Sequence, residues 1–329
     1  MKCLVTGGAG FIGSNLVDAL LARGDEVTIV DNLSTGRRQN IEPALAAGAR
    51  LVELDIRDRE ALEAVVRGTS PRILFHLAAQ IDVRVSVADP AFDASINVGG
   101  TANVLEAVRG AEVPRLVLAS TGGAIYGEGD GRQLPLAEDA AVAPLSPYGQ
   151  SKQAAELYTS LYERLYGVSS VCLRLGNVYG PRQDPLGEAG VIAIFCGLLR
   201  DGGRPTVFGD GLQTRDYVFV ADVVAAMLAA AEASVSGPVN VGTGIETDVL
   251  SLARELGELA GVAFQPEFAP PRTGEVQRIT IDPGRAEAQL GWRPRVSLRD
   301  GLETTLRALA DDAEDGRVNS GRPAASRGS

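Results

Sequence analysis

Lys2-Cys3-Leu4-Val5-Thr6-Gly7-Gly8-Ala9-Gly10-Phe11-Ile12-Gly13 begins the chain with a short apolar run, a glycine turn and the first residues of a helix. Glycines at 7, 10 and 13 permit a tight turn, close approach of backbone to a pyrophosphate, and close packing of helix on strand, with the helix N-terminus facing the anion. A glycine pattern alone is weak, and its strand, turn and helix setting is what strengthens it. Asp31 adds to it by ending the second apolar run 18 residues after Gly13, where a carboxylate can accept hydrogen bonds from an adenosine ribose. The same charge repels a 2′-phosphate, so NAD is expected over NADP, with Arg37 and Arg38 leaving NADP as a lesser alternative. A tight turn that holds no ligand is the competing reading.

Beyond this stretch, short apolar runs rich in β-branched residues recur at 27–30, 51–54, 73–77, 116–118, 171–175 and 239–241, with helical segments at 11–23, 59–66, 98–109 and 147–166 between them. Continuous apolar strands alternating with helices imply a parallel sheet covered on both faces. The expected fold is α/β, a Rossmann-type doubly wound parallel sheet with a smaller C-terminal substrate-binding domain. After Leu175, Gly180-Pro181-Arg182, Gly202-Gly203 and Pro270-Pro271-Arg272 punctuate shorter elements, and a helix over 218–233 returns the chain to the sheet. The nucleotide-binding domain is therefore read as 1–174 plus about 214–245. The second domain is about 175–213 plus 246–310, and 311–329, almost devoid of large apolar side chains, reads as a disordered tail.

With 329 residues, 45% of them hydrophobic, the chain can bury a substantial core. A net charge of −11 argues against a nucleic-acid partner, which would need a basic stripe. No apolar run reaches the roughly 20 residues of a membrane span, and the opening apolar run is too short for a signal peptide; the protein is expected in the cytoplasm. Cys3, Cys172 and Cys196 read as buried thiols. His76 is the only histidine, so most metal clusters are excluded, no metal is expected, and a Ser-His or Cys-His nucleophile pair would have to use His76 itself.

Tyr148-Gly149-Gln150-Ser151-Lys152 places a phenol and an ammonium one helical turn apart. An ammonium near a phenol favours the phenolate and pulls its pKa below about 10, giving a base for a substrate hydroxyl. Taken alone, the pair is equally at home on the surface of an ordinary helix.

The combination of the glycine turn, Asp55, Leu77-Ala78-Ala79, Asn97 and the Tyr148 to Lys152 spacing resembles the extended short-chain dehydrogenase/reductase superfamily. Arg174-Leu175-Gly176-Asn177-Val178-Tyr179-Gly180-Pro181-Arg182 and Arg215-Asp216-Tyr217-Val218 resemble its nucleotide-sugar members, UDP-glucose 4-epimerases above all, over residues 1 to about 309. The resemblance implies NAD held by Gly7, Gly10, Phe11, Ile12, Gly13, Asp31 and Asn32, with Asp55 and Ile56 along the adenine and Leu77, Ala78 and Ala79 lining the cleft. It implies that Asn97 braces the active-site helix, that Lys152 binds the nicotinamide ribose and acidifies Tyr148, and that Tyr148 is the base. His76 then becomes a structural residue at a strand end. Asn177, Arg215 and Arg272 would hold the diphosphate of a UDP-sugar, and Asp216 would orient Arg215; an arginine fork suits phosphate oxygens.

One position departs from the pattern. Family members place Ser or Thr where this chain has Gly122, within Ser120-Thr121-Gly122-Gly123-Ala124-Ile125-Tyr126-Gly127. Thr121 is the expected substitute, with Ser120 or a water behind it. The resemblance implies interconversion of UDP-glucose and UDP-galactose through a transient 4-keto sugar, without net oxidation. UDP-N-acetylhexosamine or UDP-glucuronate are alternative substrates, with Ile279 as the residue controlling room for an N-acetyl group. A 4,6-dehydratase is disfavoured because Gly122-Gly123 stands where those enzymes carry Asp-Glu; a non-catalytic NAD-binding protein is the reading outside enzymes. An apolar stripe of Ala154, Leu157, Leu161 and Leu165, with the apolar helix 98–109, implies a homodimer; the alternative is that both stripes are internal core.

Overall fold

In the computed structural model, the described residues are 1–185, 190–263, 265–271 and 276–314, with side chains described to 310. Seven parallel strands form one sheet: β1 (Lys2–Thr6), β2 (Glu26–Asp31), β3 (Arg50–Glu53), β4 (Ile73–His76), β5 (Arg115–Thr121), β6 (Ser170–Leu175) and the strand Gly237–Val241. Their order across the sheet is Gly237–Val241, β6, β5, β4, β1, β2, β3. The order reverses direction between β1 and β4, and a crevice for ligands opens at such a point, beyond the carboxyl ends of the strands. Each of the seven expected strands is present, because a strand buried on both faces must be apolar throughout and this pattern needs no long-range knowledge to read.

The helices are α1 (Phe11–Ala22), α2 (Arg38–Ala46), α3 (Arg59–Thr69), α4 (Val83–Ala88), α5 (Pro90–Ala94) and α6 (Thr101–Gly110), followed by the helix Pro147–Tyr166. On one face Leu16, Leu20, Ile41, Met227 and Trp292 share a core with the sheet. On the other, α3 and α6 pack through Leu62, Val66, Val104, Leu105 and Val108. Fully burying such a side chain contributes about 1.5–3 kcal/mol.

The helix expected over 98–109 forms differently. A π-helical turn, Ser95–Gly100, joins α5 to α6, so the chain is helical from Pro90. A Cβ on Gly100 would lie 2.4 Å from Ile56 Cδ1, so glycine is what admits the loop after β3 to this turn.

The remaining described chain carries a separate core in which Phe195, Cys196, Leu252, Leu256, Leu302 and Leu309 meet. It includes the helices Val191–Arg200, Val249–Ala260 and Leu298–Glu314 and three two-stranded pairs. The last helix runs to Glu314, into the segment expected to be a tail; 315–329 lies outside the described residues. Val220–Glu232 returns to the sheet as expected and leads into Gly237–Val241. All three cysteines are buried and free. Among the described residues no helix is long and apolar enough to cross a membrane.

Candidate active site

The glycine turn sits at the switch point. Gly7 has φ +71°, and a Cβ there would meet Ala78 N at 2.6 Å, so the turn and the end of β4 form two walls of one narrow cleft. A Cβ on Gly13 would strike Gly7 O at 2.1 Å, which is why α1 can start so close under the turn. Gly10 caps α1 with its backbone alone, and Phe11 and Ile12, half-buried, pack against the second core. Asp31 is buried at the end of β2. Its Oδ2 accepts from Ala9 N at 2.9 Å and its Oδ1 from Leu33 N at 2.8 Å, so it shapes the turn it was expected to accompany. Burial pushes its carboxyl upward and these two donors act against that.

Leu77 N donates to Thr6 O, and Ala78 N to Thr6 Oγ1 at 3.3 Å; Leu77, Ala78 and Ala79 are half-buried along the cleft. Asn32 Nδ2 donates to Asp55 Oδ2, and Arg57 grips both Asp55 oxygens, which holds that carboxyl down to about 2. The Ile56 side chain lies in the core against Gly100, so at this point only its backbone borders the loop.

His76 has the structural role expected of it. Thr101 Oγ1 donates its one proton to Asn97 O, so it accepts from His76 Nε2–H at 3.0 Å; Nδ1 then accepts from Thr6 Oγ1 at 2.7 Å. Burial, and next the charge of Lys152, depress its pKa to about 3.

The helix Pro147–Tyr166 starts with Pro147 after Ser146, whose Oγ accepts from Gly149 N, and ends at Gly167 in the left-handed region. It therefore delivers Tyr148 in its first turn and Lys152 in its second. Lys152 is buried and its Nζ donates to Ala119 O at 2.8 Å. Burial lowers its pKa to about 8, with Glu156 and Asp93 acting the other way. The expected depression of the Tyr148 pKa is not found: although the residue is only half-buried overall, burial of its phenol pushes it up to about 12, and Asp93 adds to this. The ammonium that was to lower it is engaged with Ala119. The opposing influence comes from the Thr121 hydroxyl, which lies near the phenol.

Gly122 cannot be replaced simply by the missing serine or threonine, because a Cβ there would lie 2.6 Å from Ile281 Cδ1. Ser120 is not a substitute either: its Oγ donates to Glu156 Oε1 at 2.5 Å. Glu156 is further held by Arg174 at 2.8 Å, and Arg174 reaches Tyr126, whose hydroxyl donates to Asn240. Thr121 is left as the hydroxyl at Tyr148.

Asn97 stands in the π-helical turn that packs against the active-site helix. Its Oδ1 accepts from Gln80 N and its Nδ2 donates to Gln80 O and Asp93 Oδ1, so it fastens the loop after β4, and its hydrogen-bonded link toward the active-site helix runs through Asp93. Asp93 Oδ2 accepts from Ser151 Oγ at 2.6 Å. Neither Asp93 nor Ser151 was singled out from the sequence. The signal was available, since Asp93 stands four residues before Asn97 and Ser151 lies inside the Tyr148 to Lys152 motif.

In the second region Asn177–Tyr179 pairs with Tyr217–Phe219, and Asn177 N donates to Asp216 O at 2.7 Å. Asn177 Oδ1 is buried with no hydrogen-bond partner and lies 3.1 Å from where a Gly123 Cβ would be, on the same side as Thr121 Oγ1. A buried acceptor left open in this way points into a binding site. Arg215, in Thr214–Arg215, donates through Nη1 to Thr214 O. The Asp216 carboxylate accepts from Thr243, Gly244, Thr280 and Ile281, so its role is to staple two loops together. Arg272 lies outside the described residues. Ile279 is 1% exposed and packs with Ile125, Tyr126, Leu136 and Ile281, so it walls no open space.

A doubly wound sheet with a glycine turn at its switch point and a buried Tyr-Lys pair beside it defines a protein of the Rossmann-type, nucleotide-binding class. The chain belongs to the NAD dependent epimerase/dehydratase family, whose profile matches residues 3–242. It is 46% identical over 308 residues to the UDP-glucose 4-epimerase of Mycolicibacterium smegmatis, covering 93% of this chain and 97% of that one. The UDP-glucose 4-epimerase of Thermotoga maritima, solved with UDP-glucose, superposes with a TM-score of 0.91 at 43% identity, covering 95% of this chain and all of that one. The Thermus thermophilus UDP-glucose 4-epimerase in complex with NAD gives 0.88 at 44% identity, covering 94% and 99%.

Proposed function

We propose that this protein is an NAD-dependent UDP-hexose 4-epimerase that interconverts UDP-glucose and UDP-galactose, a reaction of galactose metabolism. The observation that carries this reading is Tyr148 and buried Lys152 on successive turns of one helix, with the Lys152 ammonium on Ala119 O of β5, beside the Gly7 cleft. The cleft fits the cofactor, since a Cβ at Gly7 would close it and Asp31 already orders the turn. Gly7, Gly10 and Gly13 would hold the pyrophosphate, Asp31 and Asn32 the adenosine ribose, and Lys152 the nicotinamide ribose. Bound there, NAD supplies a reversible hydride acceptor for the sugar carbon that bears the hydroxyl.

Once ionised, Tyr148 takes, as phenolate, the proton of the sugar's 4-hydroxyl and later returns it. Thr121 donates to the phenol oxygen and so favours the anion that this transfer needs. Lys152 contributes positive charge below about pH 8; because burial has lowered its pKa, the cation is lost above that point, and turnover should fall on the alkaline side near pH 8. Asn177, Arg215 and Arg272 anchor the diphosphate, which leaves the hexose loosely held and free to turn over between proton removal and return. Residues 1–174 plus about 214–245 serve the cofactor and about 175–213 plus 246–310 the nucleotide sugar; a second apolar core apart from that of the sheet supports a second unit, although Tyr217 and Phe219 pack in it and Ala286 and Trp292 pack in the sheet core. The enzyme is placed in the cytoplasm, in keeping with three free buried thiols.

Conversion of UDP-glucose to UDP-galactose without added NAD tests the proposal, and Y148F should lower turnover at least a hundredfold. Near-normal turnover by Y148F would remove the base from Tyr148. A second reading is UDP-N-acetylhexosamine, since Ile279, enclosed in its own apolar cluster, discriminates against neither sugar. Comparing kcat/KM for the two sugar classes decides between them.

A further inference from the structure

We propose that Asp93 is a positioning residue for the Tyr148 and Lys152 pair: its buried carboxylate ties the active-site helix to the cleft wall and supplies the counter-charge for the Lys152 ammonium. The kinetic part of this inference rests on the epimerase reading. The remainder stands on geometry.

Asp93 is fully buried. Its Oδ1 accepts from Gln80 Nε2 and Asn97 Nδ2, each at 3.0 Å, and its Oδ2 from Ser151 Oγ at 2.6 Å. All three are neutral donors, so the group sits there as an acceptor-only carboxylate. Gln80 follows Ala79 on the cleft wall, and Ser151 lies between Tyr148 and Lys152. One side chain thus joins the wall to the helix that carries the chemistry.

A buried charge in a neutral shell is costly unless an opposite charge is near. Lys152 has the matching need, since its ammonium donates to the uncharged Ala119 carbonyl. The titratable groups that face Lys152 are Glu156 from its own helix, Asp93 from α5, Cys172 from β6 and His76 from β4. Glu156 is already engaged by Arg174 through both oxygens. His76 is neutral, and burial holds the Cys172 thiol protonated. Asp93 is then the buried carboxylate in the field of Lys152 that no arginine neutralises. Facing Tyr148 are Asp93 and Thr121, and there the Asp93 charge opposes the phenolate while Thr121 favours it. The resting pair is therefore held as phenol and ammonium.

Lys2 and Lys152 are the only lysines in the chain, so holoenzyme grown with 13Cε-lysine gives two assignable signals. D93N keeps the shape: its oxygen can accept from Gln80 and Asn97, and its amide can donate to Ser151. The Lys152 titration midpoint should fall by about one pH unit in D93N, with Lys2 unmoved. Both limbs of the kcat profile should shift toward acid, because losing the carboxylate favours the phenolate and disfavours the ammonium alike. An unmoved Lys152 midpoint overturns the charge role. S151A keeps the charge and cuts the link: kcat should fall about tenfold, with KM and the Lys152 midpoint unchanged. Full turnover by S151A overturns the positioning role, and this arm carries the test should D93N not fold. If no UDP-hexose is epimerised, the epimerase reading fails while the NMR result still decides the electrostatic claim.

Discussion

Thr121 ends β5 with its hydroxyl near the Tyr148 phenol, while the neighbouring Ser120 hydroxyl is fixed on Glu156. Adjacent residues of a strand point to opposite sides, so only one of the two hydroxyls can face the cleft. Replacing Thr121 by the isosteric valine removes the hydroxyl that favours the charge developing at the phenol. We expect kcat to fall by about a hundredfold with KM little changed; full activity in steady-state assays would assign the role to water. His76 offers a contrasting case, a titratable group that acts only on stability. Its folded pKa, about 3, lies below the ordinary 6.5. The unfolded chain therefore binds the proton first as pH falls, and stability declines below pH 6.5 until the folded form also titrates near 3. By pH 5 this amounts to about 2 kcal/mol. H76Q, which can accept from Thr6 and donate to Thr101, should flatten the acid side of the urea midpoint plotted against pH between 6.5 and 5.

At the scale of elements, the short helix Gly122–Ile125 after β5 shows why part of the site was unreadable in sequence. The strands were legible because apolar runs report local burial, and the glycine turn because its constraint is local as well. The departure at Gly122 could be seen but not interpreted, since its cause is Ile281, distant in the chain and held against Asp216. The hydrogen-bond partners of Asn97, Gln80 and Asp93, were not legible for the same reason: Asn97 stands in a π-helical turn that no periodicity announces. G122S should consequently destabilise by about 1–3 kcal/mol through overpacking, and I281V added to it should recover part of that loss. Thermal denaturation of the single and double variants measures the coupling; additive effects would show that the two side chains do not compete for the space.

At the scale of the whole molecule, the two helices expected to pair across a dimer differ. The apolar residues of α6 are internal: Val104, Leu105 and Val108 are buried against α3, so for this helix the core reading holds. The helix Pro147–Tyr166 keeps Leu157 62% and Leu165 60% exposed, and beside it Val87 of α4 is 62% and Phe92 of α5 is 40% exposed. Exposed apolar side chains of this size, where they join into one patch, make a surface of the kind that monomers rarely leave uncovered. A self-complementary patch on one two-fold axis would cover it with a second copy of the chain. Because Tyr148 and Lys152 lie on the opposite stripe of the same helix, the interface can be broken without touching them. L157E with L165E places two charges in the middle of the patch, where pairing would bury them without partners. We expect sedimentation equilibrium to show a dimer for the unmodified chain and a monomer for the double variant, with bound NAD retained; a monomer for the unmodified chain would rule the homodimer out.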